Sequence, residues 1–459
     1  MVPTSTFEQS TPPAPQPQLR RVLTLWDLVF YGIVLIQPIA AVPLFGIADK
    51  LSRGHVVTTI LIAMVAMMLT AFSYGRMATA YPAAGSAYVY VGRELDPHLG
   101  FLTGWAMTLD YLVIPIINTI YGALTLARLF PAVPYIAWAV IIAALTTYLN
   151  LRGIRSTARS NIVLLIVMSV VIVAFLMLAV HYLVHWGGVK ALFSFHPFYD
   201  RGKTDFSSIA TATSLAALTY IGFDGVTTLS EEVQDPRRNI LRATVLVCFL
   251  TGVFSGIQVY LAQLVWPDFS TFPALETAFM DVSKRVGGVP LFDGMAFILV
   301  VASIGSGLAG QAGAARLLFG MGRDNALPRK LFAHIDAKYR VPTYNIWVIG
   351  LIAVLGAMFL NWERAAEVLN FGAFLAFMGV NLAAIRHFYL RPGQRNSRQV
   401  VRDLLLPALG FLFCLWIWGS LPRPAKIVGG AWLAGGFIYN GVMTRGFRRT
   451  PVMIDFSEG

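Results

Sequence analysis

The chain is a series of long apolar stretches separated by short clusters of charged residues. Because a helix needs about 20 apolar residues to cross the hydrocarbon core of a bilayer, each stretch is long enough for one membrane span. Ten stretches are free of charge between their ends: 27–49, 53–76, 128–152, 159–190, 242–268, 293–316, 340–363, 367–386, 403–423 and 426–445. Two more, 96–128 and 205–231, each contain one aspartate. The pattern predicts an all-α integral membrane protein with twelve transmembrane helices.

Composition and charge agree with this prediction. Of the 459 residues, 57% are hydrophobic and 13% are charged, whereas a soluble domain has about 25% charged residues. The net charge of +12 would by itself suit a nucleic-acid-binding protein. With twelve spans and an internal N-terminus, however, most of the Lys and Arg residues fall on the cytoplasmic side, as expected for a membrane protein. We therefore predict cytoplasmic N and C termini, and we attribute the positive charge to topology and not to nucleic-acid binding.

The first and sixth predicted helices contain residues that favour an interruption near mid-depth. Proline lacks a backbone donor and glycine favours unwinding, and such backbone is tolerated in a membrane only where protein buries it or a polar cavity adjoins it. We predict helix breaks at Ile36 and Pro38 in the first helix, and at Gly222 and Gly225 in the sixth. Proline kinks also occur without a functional role. Paired breaks at corresponding positions nevertheless indicate a transporter built from inverted repeats with a site near the midplane.

Asp110 and Asp224 are the two acidic residues inside the predicted spans. A charged residue at the centre of a membrane helix costs about 2.5–3.5 kcal/mol on insertion scales. No predicted span contains Lys or Arg in its interior, so a cationic substrate or a proton is the natural counterpart for each carboxyl. The alternatives are a permanently protonated aspartate and one close enough to the membrane boundary to meet water. We take Asp110 and Asp224 as candidates for substrate binding and for proton coupling.

The eighth predicted helix has small residues every four positions, at Gly305, Ala309 and Gly313, a spacing that allows close helix packing. Ser303 and Ser306 lie beside them and are candidate ligands for a substrate or an ion, or else packing hydroxyls. The sequence has no zinc-protease, serine-hydrolase or P-loop motif, and neither cysteine has metal-ligand neighbours. We therefore expect a transporter, not an enzyme, with no metal and no cofactor.

Three segments resemble the amino acid–polyamine–organocation superfamily of secondary transporters. They are Tyr81-Pro-Ala-Ala-Gly-Ser-Ala-Tyr88, Gly222-Phe-Asp-Gly-Val-Thr-Thr-Leu-Ser-Glu-Glu232 and Ala315-Arg-Leu-Leu-Phe-Gly-Met-Gly-Arg-Asp-Asn-Ala-Leu-Pro328. Within the superfamily, Asp96-Pro-His-Leu-Gly-Phe101, Leu109-Asp-Tyr111 and Leu369-Asn-Phe-Gly-Ala373 are most similar to bacterial putrescine importers. The resemblance extends from Leu25 to about Asn440.

The resemblance implies a fold of five plus five inverted repeats with two peripheral helices. The implied parts are a disordered cytoplasmic tail (1–21), a first repeat (22–190), a second repeat (191–390), helices eleven and twelve (391–445) and a cytoplasmic tail (446–459). The implied site lies between the breaks of helices one and six. Its substrate-binding residues would be Gln37 and Ile39 from the first break, Tyr220, Phe223 and Asp224 from the second, and Asp110 and Tyr111 from helix three, with Ser303 and Ser306 nearby.

Two departures from the family pattern bear on the substrate and on the coupling ion. Many amino acid carriers of this superfamily have a glycine-rich first break whose N–H groups hold a substrate carboxylate, but Gln37-Pro38 stands here and Pro38 has no N–H. Some members use a lysine in helix five in place of sodium, and 159–190 has no lysine between its ends. The first departure favours an amine without a carboxylate, and the second leaves a proton as the first hypothesis for the coupling ion.

We therefore predict a multi-pass protein of the cell membrane (the inner or plasma membrane) that imports a small cationic amine, with putrescine as the leading candidate. Import would be proton-coupled secondary active transport. One alternative is an amino acid permease on the same fold. An alternative of another class is a membrane sensor without transport activity, or a subunit of a larger complex. The expected partners are the small-molecule substrate and the lipid bilayer, and the sequence does not specify an oligomeric state.

Overall fold

The computed structural model describes residues 23–81, 86–152, 158–200, 205–229, 233–323, 328–336, 341–391 and 399–451. Within these ranges the chain is helical and has no β-strand, apart from one isolated bridge between Leu23 and Val233. The predicted N-terminal tail and the last eight residues of the predicted C-terminal tail lie outside the described residues, as do parts of all three superfamily motifs.

Fifteen α-helices are present in the described ranges. In chain order they are α1 (Leu25–Ile36), α2 (Phe45–Leu51), α3 (Val56–Ala80), α4 (Ser86–Glu94), α5 (Pro97–Leu129), α6 (Tyr135–Leu151), α7 (Ala158–Gly187), α8 (Phe206–Ala216), α9 (Pro236–Val265), α10 (Ala278–Arg323), α11 (Arg329–Phe332), α12 (Thr343–Phe359), α13 (Trp362–Ile385), α14 (Leu406–Gly419) and α15 (Arg423–Met443). Eight helical segments are long and apolar enough to cross a membrane, and three shorter helical segments are also apolar. The prediction of an all-α membrane protein is confirmed, while the count of twelve spans and the inverted repeats stay predictions.

Every predicted apolar stretch contains helix, but the helices do not all follow the predicted limits. Helix α10 starts well before the predicted eighth span and contains Gly288, whose φ of 66° lies outside the helical range, so α10 is two segments joined at a kink. Helix α4 lies between two predicted spans. Large apolar side chains on the outer faces are exposed, including Met177, Phe359 and Ile427. Such faces suit a surface in contact with lipid and not with water.

Both of the helices in which breaks are predicted are interrupted. Helix α1 ends at Ile36, and Gln37 follows with a φ of 71°, before turns lead to α2. In the sixth predicted helix, α8 passes into a 3-10 turn, Ala217–Tyr220. Gly222 follows with a φ of 114°, and a second 3-10 segment, Phe223–Leu229, begins after it. A positive φ is easy for glycine and strained for Gln37. The surrounding contacts must therefore hold the first break in place.

Polar side chains from distant helices satisfy backbone carbonyls near the two breaks. The Gln258 amide of α9 donates to the Pro38 carbonyl (2.9 Å), and the Asn370 amide of α13 donates to the Ser214 carbonyl of α8 (2.6 Å). The Tyr220 hydroxyl donates to the carbonyl of Ile60 on α3 (2.8 Å). Because an unpaired carbonyl in a membrane interior is costly, these bonds stabilise both interruptions.

Two ion pairs and one backbone bond join helix ends. Arg76 of α3 forms a buried pair with Asp403, which precedes α14 (2.7 Å). Arg128 at the end of α5 pairs with Asp281 at the start of α10. Leu23, which precedes the Thr24 cap of α1, forms an isolated β-bridge with Val233. Its carbonyl also accepts a hydrogen bond from the Gln234 N–H (2.9 Å). The start of the first interrupted helix is thereby attached to the chain that leaves the second.

Candidate substrate site

The two interruptions meet at a cavity of about 270 Å³ that is also lined by α5, α10 and α13. This volume is just under the usual range of about 300–1,000 Å³ for small-molecule sites, so it suits a small ligand. The polar or amphipathic side chains in the lining are Gln37, Asn118, Tyr121, Ser303, Ser306 and Trp362. The other lining residues are apolar or glycine, and none of the lining residues carries a charge.

The backbone gives this uncharged cavity a negative bias. Helix α1 ends at Ile36, and the helical segment that begins with α8 ends at Tyr220, so two helical C-terminal ends lie at the cavity. The carbonyl end of a helix carries the equivalent of about half a negative charge. In the first break, the N–H groups of Gln37, Ala40 and Val42 already donate to backbone carbonyls of the same turn. Those bonds also occupy the carbonyls of Gln37 and Ile39, and Gln258 occupies that of Pro38, so the negative bias comes from the two helix ends and not from the turn between them.

Asp110 and Asp224 lie outside the cavity lining but beside it. Asp224 is two residues beyond Gly222, which lines the cavity, and its carboxylate interacts with backbone N–H groups of the turn at Gly222 and Gly225. Asp110 lies one helical turn before Ile114, another lining residue, and its Oδ1 atom is buried without a hydrogen-bond partner. The two carboxyl groups are near enough for their charges to interact. Neither forms an ion pair with a Lys, Arg or His side chain in the described part of the chain.

Aromatic rings pack around the second break. Phe223 is fully buried, with its ring centroid 5.4 Å from that of Tyr74 and 5.3 Å from that of Phe377. Tyr90 packs edge-on against Tyr74 at 6.2 Å. The Tyr111 ring lies against Gly313 of α10, where an added Cβ atom would be 3.1 Å from the ring. The three tyrosines are near enough to Asp224 to interact with it electrostatically.

The residues predicted from the sequence thus fall into two groups. Those in the cavity lining are Ile36, Gln37, Ile39, Gly222, Ser303 and Ser306. Those outside it are Pro38, Asp110, Tyr111, Tyr220, Phe223, Asp224 and Gly225. Tyr220 in particular is fully buried and directs its hydroxyl to the backbone of α3, so it supports the fold of the break. The roles of both groups in substrate binding stay predictions.

Four polar residues that build the site were not predicted from the sequence. The Asn118 amide donates to the Ile114 carbonyl (2.8 Å) and to the Ser306 hydroxyl (3.0 Å), which joins α5 to α10 across the cavity. Tyr121 lines the cavity with a buried hydroxyl that has no hydrogen-bond partner. Asn118 lies two turns after Asp110, so a search for polar residues on that face of the helix would have found it. Asn370 lies in a segment that resembles putrescine importers, although no role was predicted for its amide, and Gln258 had no comparable local signal.

The described part of the chain brings together no group of three His, Cys, Asp or Glu side chains that could hold a metal ion. The polar atoms at the site are instead amides, hydroxyls, helical carbonyls and two carboxyls. Such groups can bind and orient a small polar or cationic molecule, and nothing in their arrangement provides an activated nucleophile.

Comparisons with known proteins show the family to which the chain belongs. Residues 28–421 match the amino acid permease family. The chain is 34% identical over 439 residues to the low-affinity putrescine importer PlaP of Escherichia coli (strain K12), which covers 95% of this chain and 97% of that protein. It is 28% identical to the methylthioribose transporter of Bacillus subtilis (strain 168), over 92% of this chain and 94% of that protein. It is 25% identical to the branched-chain amino acid permease BcaP of Lactococcus lactis subsp. cremoris (strain MG1363), over 91% of this chain and 94% of that protein. The chain belongs to the amino acid permease family, membrane transporters of the amino acid–polyamine–organocation superfamily.

Proposed function

We propose that this protein is a secondary active transporter that imports a small cationic amine, with putrescine as the first candidate. The observation that carries the proposal is the pair of carboxyl groups, Asp110 and Asp224, which lie beside the cavity without a basic partner in the described part of the chain. The similarity to a putrescine importer over almost the whole chain supports the same substrate class.

The electrostatics of the site favour a cation over a neutral molecule. An ammonium group about 4 Å from a carboxylate gains roughly 4 kcal/mol at an effective dielectric constant of 20. This gain is comparable to the cost of about 2.5–3.5 kcal/mol for placing one charged residue in a membrane helix. One ammonium group of the substrate can neutralise one of the two carboxyls, which leaves the other carboxyl available for a proton. The helical carbonyl ends at Ile36 and Tyr220 act in the same direction.

The pair of acids also suits coupling to protons. When the site holds no substrate, a proton on one carboxyl removes the repulsion between Asp110 and Asp224. We propose that one aspartate binds the substrate ammonium and the other carries the coupling proton through an alternating-access cycle. The proposal includes twelve spans in a five-plus-five inverted repeat, divided at residues 190, 390 and 445. Both termini would be cytoplasmic, and the protein would lie in the cell membrane.

An amino acid permease on the same fold is the second candidate, because BcaP is similar over most of both chains. An α-amino acid would need N–H donors for its carboxylate. Pro38 has no N–H, and the N–H groups of Gln37, Ala40 and Val42 already donate within the turn. The first break is therefore less suited to a carboxylate than to an amine.

Uptake of radiolabelled putrescine into proteoliposomes tests the proposal. We expect accumulation that depends on an imposed proton gradient and that spermidine reduces more strongly than neutral amino acids do. Asp110→Asn and Asp224→Asn should divide the two roles. The variant without the proton carrier should lose gradient-driven accumulation and keep putrescine exchange, whereas the variant without the ammonium ligand should lose both.

Asp293→Asn is a matched control, because Asp293 is an exposed acid on α10 away from the cavity. It should transport like the unmodified protein. Uptake of neutral amino acids with none of putrescine would refute the amine proposal and establish the permease alternative. Normal gradient-driven uptake by both aspartate variants would refute the assignment of the site.

A further inference from the structure

A second cavity lies on the outer surface of the helical bundle and shares no lining residue with the substrate cavity. It is an apolar groove of about 610 Å³ bounded by α4, α5, α13, α14 and α15. Its walls include Leu99, Leu382 and Phe437, all of which are exposed although they are large and apolar. The one polar side chain in the lining is Thr103, whose hydroxyl donates to the Leu99 carbonyl (2.9 Å). Because its walls are faces of transmembrane helices, hydrocarbon chains of the bilayer can reach the groove.

One end of this groove adjoins a pocket of very different character. The pocket measures about 440 Å³ and is lined by Arg93, Glu94, Arg386, Leu390 and Arg391. Arg386 lies one helical turn after Leu382 of the groove and donates to the carbonyl of Leu95, another groove residue (2.8 Å). The apolar groove and the basic pocket therefore adjoin each other where Arg386 meets Leu95.

The pocket keeps a positive charge after its internal contacts are counted. Glu94 is nearly buried, and its Oε1 atom accepts from the Tyr81 hydroxyl and contacts His387 Nδ1 (2.7 Å) and Arg391 Nη1 (3.4 Å). Glu94 can balance one arginine, whereas the pocket contains three. More than half of the Arg391 side chain is exposed. An anion in the pocket would therefore meet a net positive charge with accessible guanidinium donors.

We propose that the groove and the pocket together bind one anionic phospholipid, with an acyl chain along Leu99, Leu382 and Phe437 and the phosphate among Arg93, Arg386 and Arg391. The planar guanidinium group matches a phosphate with two parallel hydrogen bonds. A free phosphate ion would use the pocket alone and leave the groove without an occupant, whereas a phospholipid complements both parts. Basic pockets between transmembrane helices are suited to anionic headgroups for this reason.

Native mass spectrometry of the purified full-length protein, titrated with phosphatidylglycerol or phosphatidylcholine, tests the proposal. We expect one phosphatidylglycerol to bind in preference to phosphatidylcholine. Arg93→Gln combined with Arg391→Gln should weaken phosphatidylglycerol binding about thirtyfold, since each basic residue near a membrane surface contributes about fivefold. Ala434→Trp, which fills the groove from an exposed position, should weaken binding of the same lipid without changing charge.

Each variant has a matched control. Arg329→Gln combined with Lys330→Gln removes two exposed charges from α11 and should leave binding unchanged. Ala431→Trp adds the same bulk at an exposed position of α15 outside the groove. Equal binding of the two lipids, or unchanged phosphatidylglycerol binding in the Arg93 and Arg391 double variant, would overturn the proposal. Displacement of phosphatidylglycerol by inorganic phosphate would overturn the lipid assignment and make the pocket a site for a free anion.

Discussion

Gly372 of α13 is the position at which a single methyl group should disturb both the fold and the candidate site. A Cβ atom at Gly372 would lie 2.4 Å from the Ala106 carbonyl oxygen and 2.7 Å from Asp110 Oδ1. Optimal carbon contacts lie at about 3.5–4.0 Å, so the overlap with a backbone atom is about 1 Å. The carbonyl belongs to α5 and cannot rotate away as a side chain could. Gly372→Ala must therefore separate α5 from α13 and displace the Asp110 carboxyl.

The expected size of this effect follows from overpacking. Extra methyl groups in a packed interior cost about 1–3 kcal/mol. Gly305→Ala is the matched control, because nothing lies within 4 Å of an added Cβ atom at Gly305. In the control, replacing a helical glycine by alanine should raise the free energy of unfolding by up to about 1 kcal/mol, because alanine has the higher helix propensity. The same gain applies to Gly372→Ala, so the two alanine variants should differ by the overpacking cost, about 1–3 kcal/mol in the free energy of unfolding.

Thermal unfolding of both variants in the same detergent measures this difference, and putrescine uptake adds a functional readout. We expect Gly372→Ala to unfold at a lower temperature than Gly305→Ala and to take up putrescine more slowly, because Asp110 is displaced. If both variants unfold at the same temperature, the close approach of α5 and α13 is wrong, whatever the substrate is. If only Gly372→Ala unfolds early but its uptake per folded molecule is normal, Asp110 does not act in transport.

Two further predictions concern bonds that hold the interrupted helices and the helix ends. Gln258→Leu leaves the Pro38 carbonyl without its donor and should cost about 1–3 kcal/mol of unfolding free energy, which thermal unfolding measures. Gln263→Leu is not a matched control, because Gln263 donates to the Gly54 carbonyl in a different segment. Arg76→Gln leaves Asp403 buried without its partner and should cost about 3–5 kcal/mol, whereas Arg76→Gln combined with Asp403→Asn should recover part of the loss in the same assay. Equal stability of the single and double variants would contradict a pairing role for Arg76.

Local chemistry carried most of the sequence prediction. Runs of apolar residues are enough to indicate membrane helices, because the bilayer requires length and the absence of charge from each helix separately. The special backbone at Gln37 and Gly222 lies where a proline and a glycine change the local donors and the allowed dihedral angles. Such features depend on a few neighbouring residues, so they can be recognised in a single sequence.

The remaining features depend on residues far apart in the chain. The bond from Gln258 to Pro38 spans 220 positions, and the bond from Asn118 to Ser306 spans 188. No local pattern marks either pair. The small-residue spacing in α10 has the same limit. A Cβ atom added at Gly313 would meet the Tyr111 ring, whereas one added at Gly305 would meet no atom of another element within 4 Å. Spacing predicts which residues share a helical face, but the position of the partner helix decides whether that face is packed.

The pairing of Leu23 with Val233 and Gln234 has a mechanical consequence. It joins the start of α1 to the chain just beyond the second 3-10 segment, so the two half-helices on that side of the breaks are linked to each other through their backbones. If one half-helix swings outward, it must carry the other with it or first break the backbone bond from Gln234 to Leu23. Breaking this short contact is therefore part of the free-energy cost of any separate movement of the two half-helices.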